Sequence, residues 1–142
     1  MLKGLDPLLT PDLLFVLASM GHGDEIVLVD ANFPATSVAQ RLVRLDGVSL
    51  LDASRAVLSV LPLDTYVEFP VATMAMVETP DLIPDVQDEV FALAGEIEGS
   101  PVAVEHVERF AFYDRARAAY AIVATGEPRP YGNVVFSKGV VR

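Results

Sequence analysis

The chain contains no cysteine, only two histidines, and half as many basic as acidic side chains, ten Lys and Arg against twenty Asp and Glu. Without cysteine there is no disulfide, no thiolate nucleophile and no Cys-ligated zinc, and a reducing cytoplasm suits the chain. His22 and His106 are far apart and neither belongs to a His-x-x-x-His pair, so a metal site would have to be carboxylate-rich and assembled by folding; no metal is expected. A net charge of -10 argues against nucleic acid or an anionic membrane as partner, because both require a positive surface. Long apolar runs are missing as well. Leu13 to Met20 imitates a signal peptide, but it follows Asp6 and Asp12 instead of a basic run and is too short for a bilayer, so it reads as a buried helix.

What is present is apolar for so small a chain: 52% hydrophobic residues over 142 positions, with a mean hydropathy of +0.42. With no membrane segment to absorb that content, subunit interfaces are the natural place for the surplus, and a homo-oligomer is expected. Nothing resembles a linker or a repeat, so residues 1–142 are read as one domain. Thr10-Pro11-Asp12 opens a first helix, which Gly21 and Gly23 end. Ile26 to Val29 is a strand buried on both faces, with Asp30 at its C-terminal end. Leu42 to Leu45 is a second strand, residues 49–61 a helix closed by Pro62, residues 71–77 a strand, residues 84–97 a helix and residues 102–107 a strand. A helix over residues 109–119 and strands at 121–124 and 134–136 complete the chain. This alternation predicts an α/β domain with a mixed, largely parallel sheet and helices on both faces. In such sheets ligands bind beyond the C-terminal strand ends, which favours Asp30.

Two common chemistries find no motif. Gly21-His22-Gly23-Asp24 precedes a strand and lacks the third glycine of a dinucleotide loop, and Gly47-Val48-Ser49-Leu50-Leu51 lacks the last glycine of a nucleophile elbow. His22 between two glycines is nonetheless an imidazole left uncovered, where a ligand can approach the backbone. On periodicity, Phe110 to Tyr113 is a core-facing helix start with Arg109 a solvated charge, Tyr131-Gly132-Asn133 is a turn, and Tyr120, Met74 and Met76 are core.

Taken in order, Gly21-His22-Gly23-Asp24-Glu25, Asp30-Ala31-Asn32-Phe33-Pro34, Thr125-Gly126-Glu127 and Tyr131-Gly132-Asn133 resemble the ribose pyranase and fucose mutarotase family. The likeness runs essentially end to end and is weakest between Thr79 and Pro101. Arg109-Phe110-Ala111-Phe112-Tyr113 is similar to the fucose mutarotase branch; ribose pyranases carry a His-Glu-Glu-Phe type segment whose histidine would fall at Arg109, which leaves His106 without that role. The resemblance implies a cytoplasmic, cofactor-independent isomerase of an L-fucose-like monosaccharide, assembled as a ring, a decamer in the family. It implies His22 as the catalytic acid/base, and Asp30, Arg109, Tyr131 and Asn133, with Tyr120 beside them, as sugar-binding residues. A D-ribose pyranase and a sugar-binding or transport-accessory protein without catalysis remain the alternatives.

Mutarotation moves a proton from the anomeric hydroxyl to the ring oxygen and back, work that an imidazole with an unperturbed pKa of about 6.5 can do at neutral pH. One geometric consequence stands out. If residues 26–29 are extended, His22 and Asp30 lie at opposite ends of a strand, roughly 15 to 25 Å apart. Either the glycine loop folds back along the sheet, or two subunits share the pocket.

Overall fold

The computed structural model describes all 142 residues. In chain order it contains α1 (Pro11–Ser19), β1 (Glu25–Val29), α2 (Ala35–Val38), β2 (Leu42–Leu45), α3 (Leu50–Leu58), β3 (Val71–Met74), α4 (Asp85–Glu98), β4 (Val104–Val107), α5 (Arg109–Ala118), β5 (Ala121–Thr125) and β6 (Val134–Ser137). The strands form one sheet in the order β2-β5-β1-β6-β3-β4. Neighbours are parallel except at β6, which runs antiparallel to both β1 and β3. The expected mixed, largely parallel α/β sheet is therefore present.

The helices divide between its two faces. On one face Leu13, Val16 and Leu17 of α1, Leu50, Ala53, Val57 of α3 and Val86, Val90, Ala94 of α4 pack on Ile26, Leu28, Val123 and Phe136. On the other, Ala35 of α2 and Phe112 and Ala116 of α5 pack on Val27, Val29, Ile122 and Val135. Residues 26 to 29 thus feed alternate side chains into two cores, and all four are fully buried. Complete burial of one such side chain contributes about 1.5–3 kcal/mol relative to exposure.

Capping decides where the helices begin. Thr10 Oγ1 accepts the Leu13 N–H at 3.2 Å and Ser49 Oγ the Asp52 N–H at 3.1 Å, so α1 and α3 start where a capping side chain stands ready. Helix α1 stops at Ser19, just ahead of Gly21 and Gly23 as expected, and Lys138 Nζ satisfies its open end from across the fold by donating to the carbonyls of Leu17 and Met20. Helix α3 stops at Leu58 instead of Leu61, and β3 at Met74 instead of Val77. The one missed element is α2, a single turn too short to show a periodicity.

Candidate functional site

Because β1, β3, β4 and β5 are parallel and β6 runs against them, four C-terminal strand ends and the start of β6 meet at one end of the sheet. A solvent-open cavity of about 240 Å³ lies there, and Asp30, Arg109, Tyr131 and Asn133 line it together with Phe33, Met74, Val77 and Tyr113. Four residues singled out from sequence are thus brought to one place.

Asp30 follows β1 and is 5% exposed. Its Oδ1 accepts the Asn32 N–H at 2.9 Å, its Oδ2 accepts the Gly132 N–H at 3.2 Å, and its own N–H donates to Asn133 Oδ1 at 3.1 Å. Burial pushes its carboxyl above the ordinary range, against the opposing pull of those N–H donors, and the nearby Glu127 charge pushes the same way. Asn133 therefore spends its oxygen on the protein, which leaves its amide N–H groups for a ligand. Tyr131 carries the only non-glycine positive φ, 61°, and that turn sets its hydroxyl where the Val77 N–H donates to it at 3.2 Å. A hydroxyl that accepts from the backbone keeps its own proton for a ligand.

Arg109 opens α5, immediately after the capping residue Glu108, whose two carboxylate oxygens accept the N–H groups of Phe110 and Ala111 at 2.9 and 3.0 Å. Those backbone bonds hold the Glu108 carboxyl below the usual range and fix the first turn. The Arg109 side chain is exposed, as the periodicity reading has it, and it also lines the cavity: its guanidinium lies 5.4 Å from the Phe110 and 5.7 Å from the Tyr113 ring centroid and forms no salt bridge. Phe112 is core, as the pattern predicts, whereas Phe110 is exposed. A second, larger hollow of about 640 Å³ adjoins the cavity, sharing Val77 and Arg109 and reaching His106, whose Nδ1 lies 3.1 Å from Thr73 Oγ1.

His22 is not in this cavity. Its loop is pinned at the opposite end of β1: the Gly23 N–H donates to the Lys138 carbonyl, the Asp24 N–H to the Gly21 carbonyl, and His22 Nε2 reaches Asp64 Oδ1 at 3.1 Å. The loop does not fold back along the sheet. The five residues of β1 separate His22 from Asp30, a span of about 17 Å at 3.3 Å per residue. Tyr120 precedes β5 at the same end as His22, under the Arg41 guanidinium at 4.0 Å, so it does not join Asp30.

Sequence reading missed Gln87, Glu127 as a support, and Asp64. Gln87 is 1% exposed and donates from one amide nitrogen to the carbonyls of Met74 and Tyr131 at 2.8 and 3.0 Å. Glu127 sits beneath the cavity floor, accepting from the Leu50 N–H and from Arg129, and the Arg129 contact holds its carboxyl low. No local pattern announces a polar side chain that tertiary packing buries. Nowhere do three or more His, Asp or Glu side chains converge as a metal site requires, and no helix is long and apolar enough to cross a membrane.

The chain is 48% identical to the L-fucose mutarotase of Actinobacillus pleuropneumoniae (serotype 5b) over 140 residues, which covers 99% of this chain and 97% of that one. It is also 48% identical to the fucose mutarotase of Homo sapiens over 146 residues, covering 99% and 94%. A crystal structure of the fucose mutarotase from Streptococcus pneumoniae in complex with L-fucose superposes with a TM-score of 0.89 at 42% identity, covering 99% of this chain and 100% of that one. The sequence profile of the RbsD / FucU transport protein family matches residues 3–141. With that span and those identities, the chain belongs to the RbsD / FucU family.

Proposed function

We infer that the protein is an isomerase that interconverts the α and β anomers of L-fucose by opening and reclosing the sugar ring. The observation that carries this reading is the cavity at the C-terminal strand ends, where four polar side chains face a wall of Phe33, Met74, Val77 and Tyr113 in a chain with this family membership. A 6-deoxy sugar matches such a mixed lining: its hydroxyls need fixed donors and acceptors, and its methyl group needs an apolar surface. Asp30 would accept from a sugar hydroxyl, while Asn133, Tyr131 and Arg109 would donate. His22 would carry the proton between the anomeric hydroxyl and the ring oxygen. Neither redox nor phosphoryl chemistry enters, so the reaction asks for no cofactor.

Since one chain holds His22 and Asp30 at opposite ends of β1, the working site is shared in a homo-oligomer, with one protomer supplying the cavity and its neighbour His22. Tyr120 would enter that site only from the neighbour. The apolar surroundings of both halves support the arrangement: Val77, Leu82, Ile83 and Phe110 are exposed around the cavity, and Tyr66, Val67, Val140 and Val141 around the His22 loop. A ring of such contacts would use the apolar surplus, and a cytoplasmic location accords with the absence of cysteine.

The test is anomer-exchange NMR on L-fucose and D-ribose with and without protein. Acceleration of L-fucose exchange is expected, and His22→Ala is expected to lower kcat by about 100- to 10,000-fold while the protein stays folded. If wild-type protein accelerates neither sugar, binding without catalysis becomes the better account; if only ribose responds, the pyranase does.

A further inference from the structure

We propose that Thr125 is a positioning residue for Asp30, its one hydroxyl bracketing the stretch of backbone from which that carboxylate reaches the cavity. This rests on the reading of Asp30 as a sugar-binding residue and adds to it what holds the residue in place. Asp30 lies just past the sheet: the ladder of β1 with β6 ends at Leu28, and its ladder with β5 ends at Val29. Strand pairing stops short of the residue that has to meet a sugar hydroxyl, so its backbone must be fixed by other bonds.

Thr125, the last residue of β5, fixes it with a side chain. Its Oγ1 donates to the Val29 carbonyl at 2.7 Å and accepts the Glu127 N–H at 3.2 Å, and both bonds are buried. The Glu127 carbonyl in turn accepts the Ala31 N–H at 2.9 Å. One hydroxyl thus closes a ring of hydrogen bonds that holds the chain on either side of Asp30, at the carbonyl before it and at the N–H after it. Gly126, between the two, turns the other way and donates its N–H to the Val48 carbonyl at 2.8 Å. The far side of the ring is anchored, because Glu127 is 2% exposed and its carboxylate oxygens are taken by the Leu50 N–H and by Arg129.

The residue type suits the task. A threonine in an extended strand is stiff at its first side-chain torsion, so the direction of the hydroxyl is set in advance. Thr125 is 3% exposed and does not line the cavity, so it can act on the sugar only through Asp30. The Asp30 oxygens accept N–H groups of Asn32 and Gly132, both outside the ladder, so a shift of the Ala31 peptide carries the carboxylate with it. A binding constellation works only within about 0.5 Å of its productive geometry, and a bracket that slackens by that much weakens the sugar contact.

Anomer-exchange kinetics and amide hydrogen exchange on the assembled protein test this. Thr125→Val keeps the shape and removes the hydroxyl; it is expected to raise KM for L-fucose about tenfold, the scale of one lost buried hydrogen bond, with kcat within about twofold. Thr125→Ser returns the hydroxyl without the stiffness and is expected to bring KM back to within about threefold of the wild type. A general weakening of the fold would instead lower the active fraction, and so the apparent kcat, while leaving KM alone. A Thr125→Val protein with wild-type KM, or a Thr125→Ser protein as impaired as Thr125→Val, overturns the proposal. Should Thr125→Val not fold, Thr125→Ala removes the same hydroxyl and takes its place in every comparison. The bracket can also be read without turnover. In Thr125→Val the Ala31 amide should exchange at least about tenfold faster than in the wild type, while the Tyr120 amide, bonded to the Glu25 carbonyl at the far end of β1, keeps its rate. An unchanged Ala31 amide overturns the proposal as well. A wild-type protein inert toward L-fucose is a different failure, that of the mutarotase reading, and leaves the amide measurement to decide the bracket.

Discussion

Tyr131 sits in a backbone region that a bulky side chain seldom occupies, at a cost of about 1–3 kcal/mol, and Gln87 is the reason it stays there. The Gln87 amide bonds the Tyr131 carbonyl on one side and the Met74 carbonyl on the other, clamping the start of β6 to the end of β3 and setting the Tyr131 hydroxyl against the Val77 N–H. Gly132 follows because a Cβ would lie 3.1 Å from Glu127 Cγ and 3.3 Å from Asp30 Cβ. Replacing Gln87 with Leu keeps the volume but takes the amide donor away from the buried Met74 carbonyl and the part-buried Tyr131 carbonyl. We expect Gln87→Leu to lower stability by about 1–3 kcal/mol in urea titration and to raise KM for L-fucose several-fold with kcat nearly unchanged, because the clamp holds Tyr131 of the proposed sugar site and lies away from His22, the proposed acid/base. Unchanged stability and KM together would show that Tyr131 needs no clamp.

The ends of β5, α3 and α4 meet at Glu127. One carboxylate oxygen accepts the Leu50 N–H at the start of α3, the other accepts from Arg129, and Arg129 reaches Glu89 of α4 with two bonds of 2.9 Å. Just before it, Gly126 lies so close to the β2–α3 turn that a Cβ would stand 2.6 Å from Gly47 N. Because its carboxyl is held below its ordinary value of 4.5, Glu127 contributes stability that is fully present above that pH and is lost as pH falls through the lower folded value. Glu127→Gln should therefore cost about 1.5–3 kcal/mol at pH 7, and its deficit should shrink below about pH 4 as the wild type protonates; a pH-independent deficit would point to packing instead of charge. Elements of this kind were legible in part. Thr10 and Ser49 announced helix starts because a cap acts within three residues, and β1 was legible because full burial leaves an unbroken apolar run. Asp30, Arg109, Tyr131 and Asn133 could be named together only through the likeness to a family, since nothing in the spacing of residues 30, 109, 131 and 133 says that they meet. Asp64 and Gln87 left no trace, being ordinary polar residues whose partners lie 42 and 44 positions away.

Across the whole molecule, the sheet sets the proposed acid/base and the sugar wall a strand's length apart, so each protomer would hold two half-sites. Two inactive variants, His22→Ala and Asp30→Ala, should regain activity when unfolded and reassembled together. With random 1:1 assembly about a quarter of shared sites would draw both residues intact, against none if each site belonged to one chain. Recovery of L-fucose exchange in the mixture, compared with each variant refolded alone, measures this directly. The strand order also constrains how the molecule is made. Strand β6, the last in sequence, lies between β1 and β3, so while a ribosome is still completing residues 134–137 the first five strands exist only as two partial sheets. Each shows an unpaired edge whose residues are buried in the finished protein, Ile26 to Val29 on one and Val71 to Met74 on the other. The two partial sheets therefore cannot join until β6 emerges, and until then each keeps an adhesive edge that the cell has to shield.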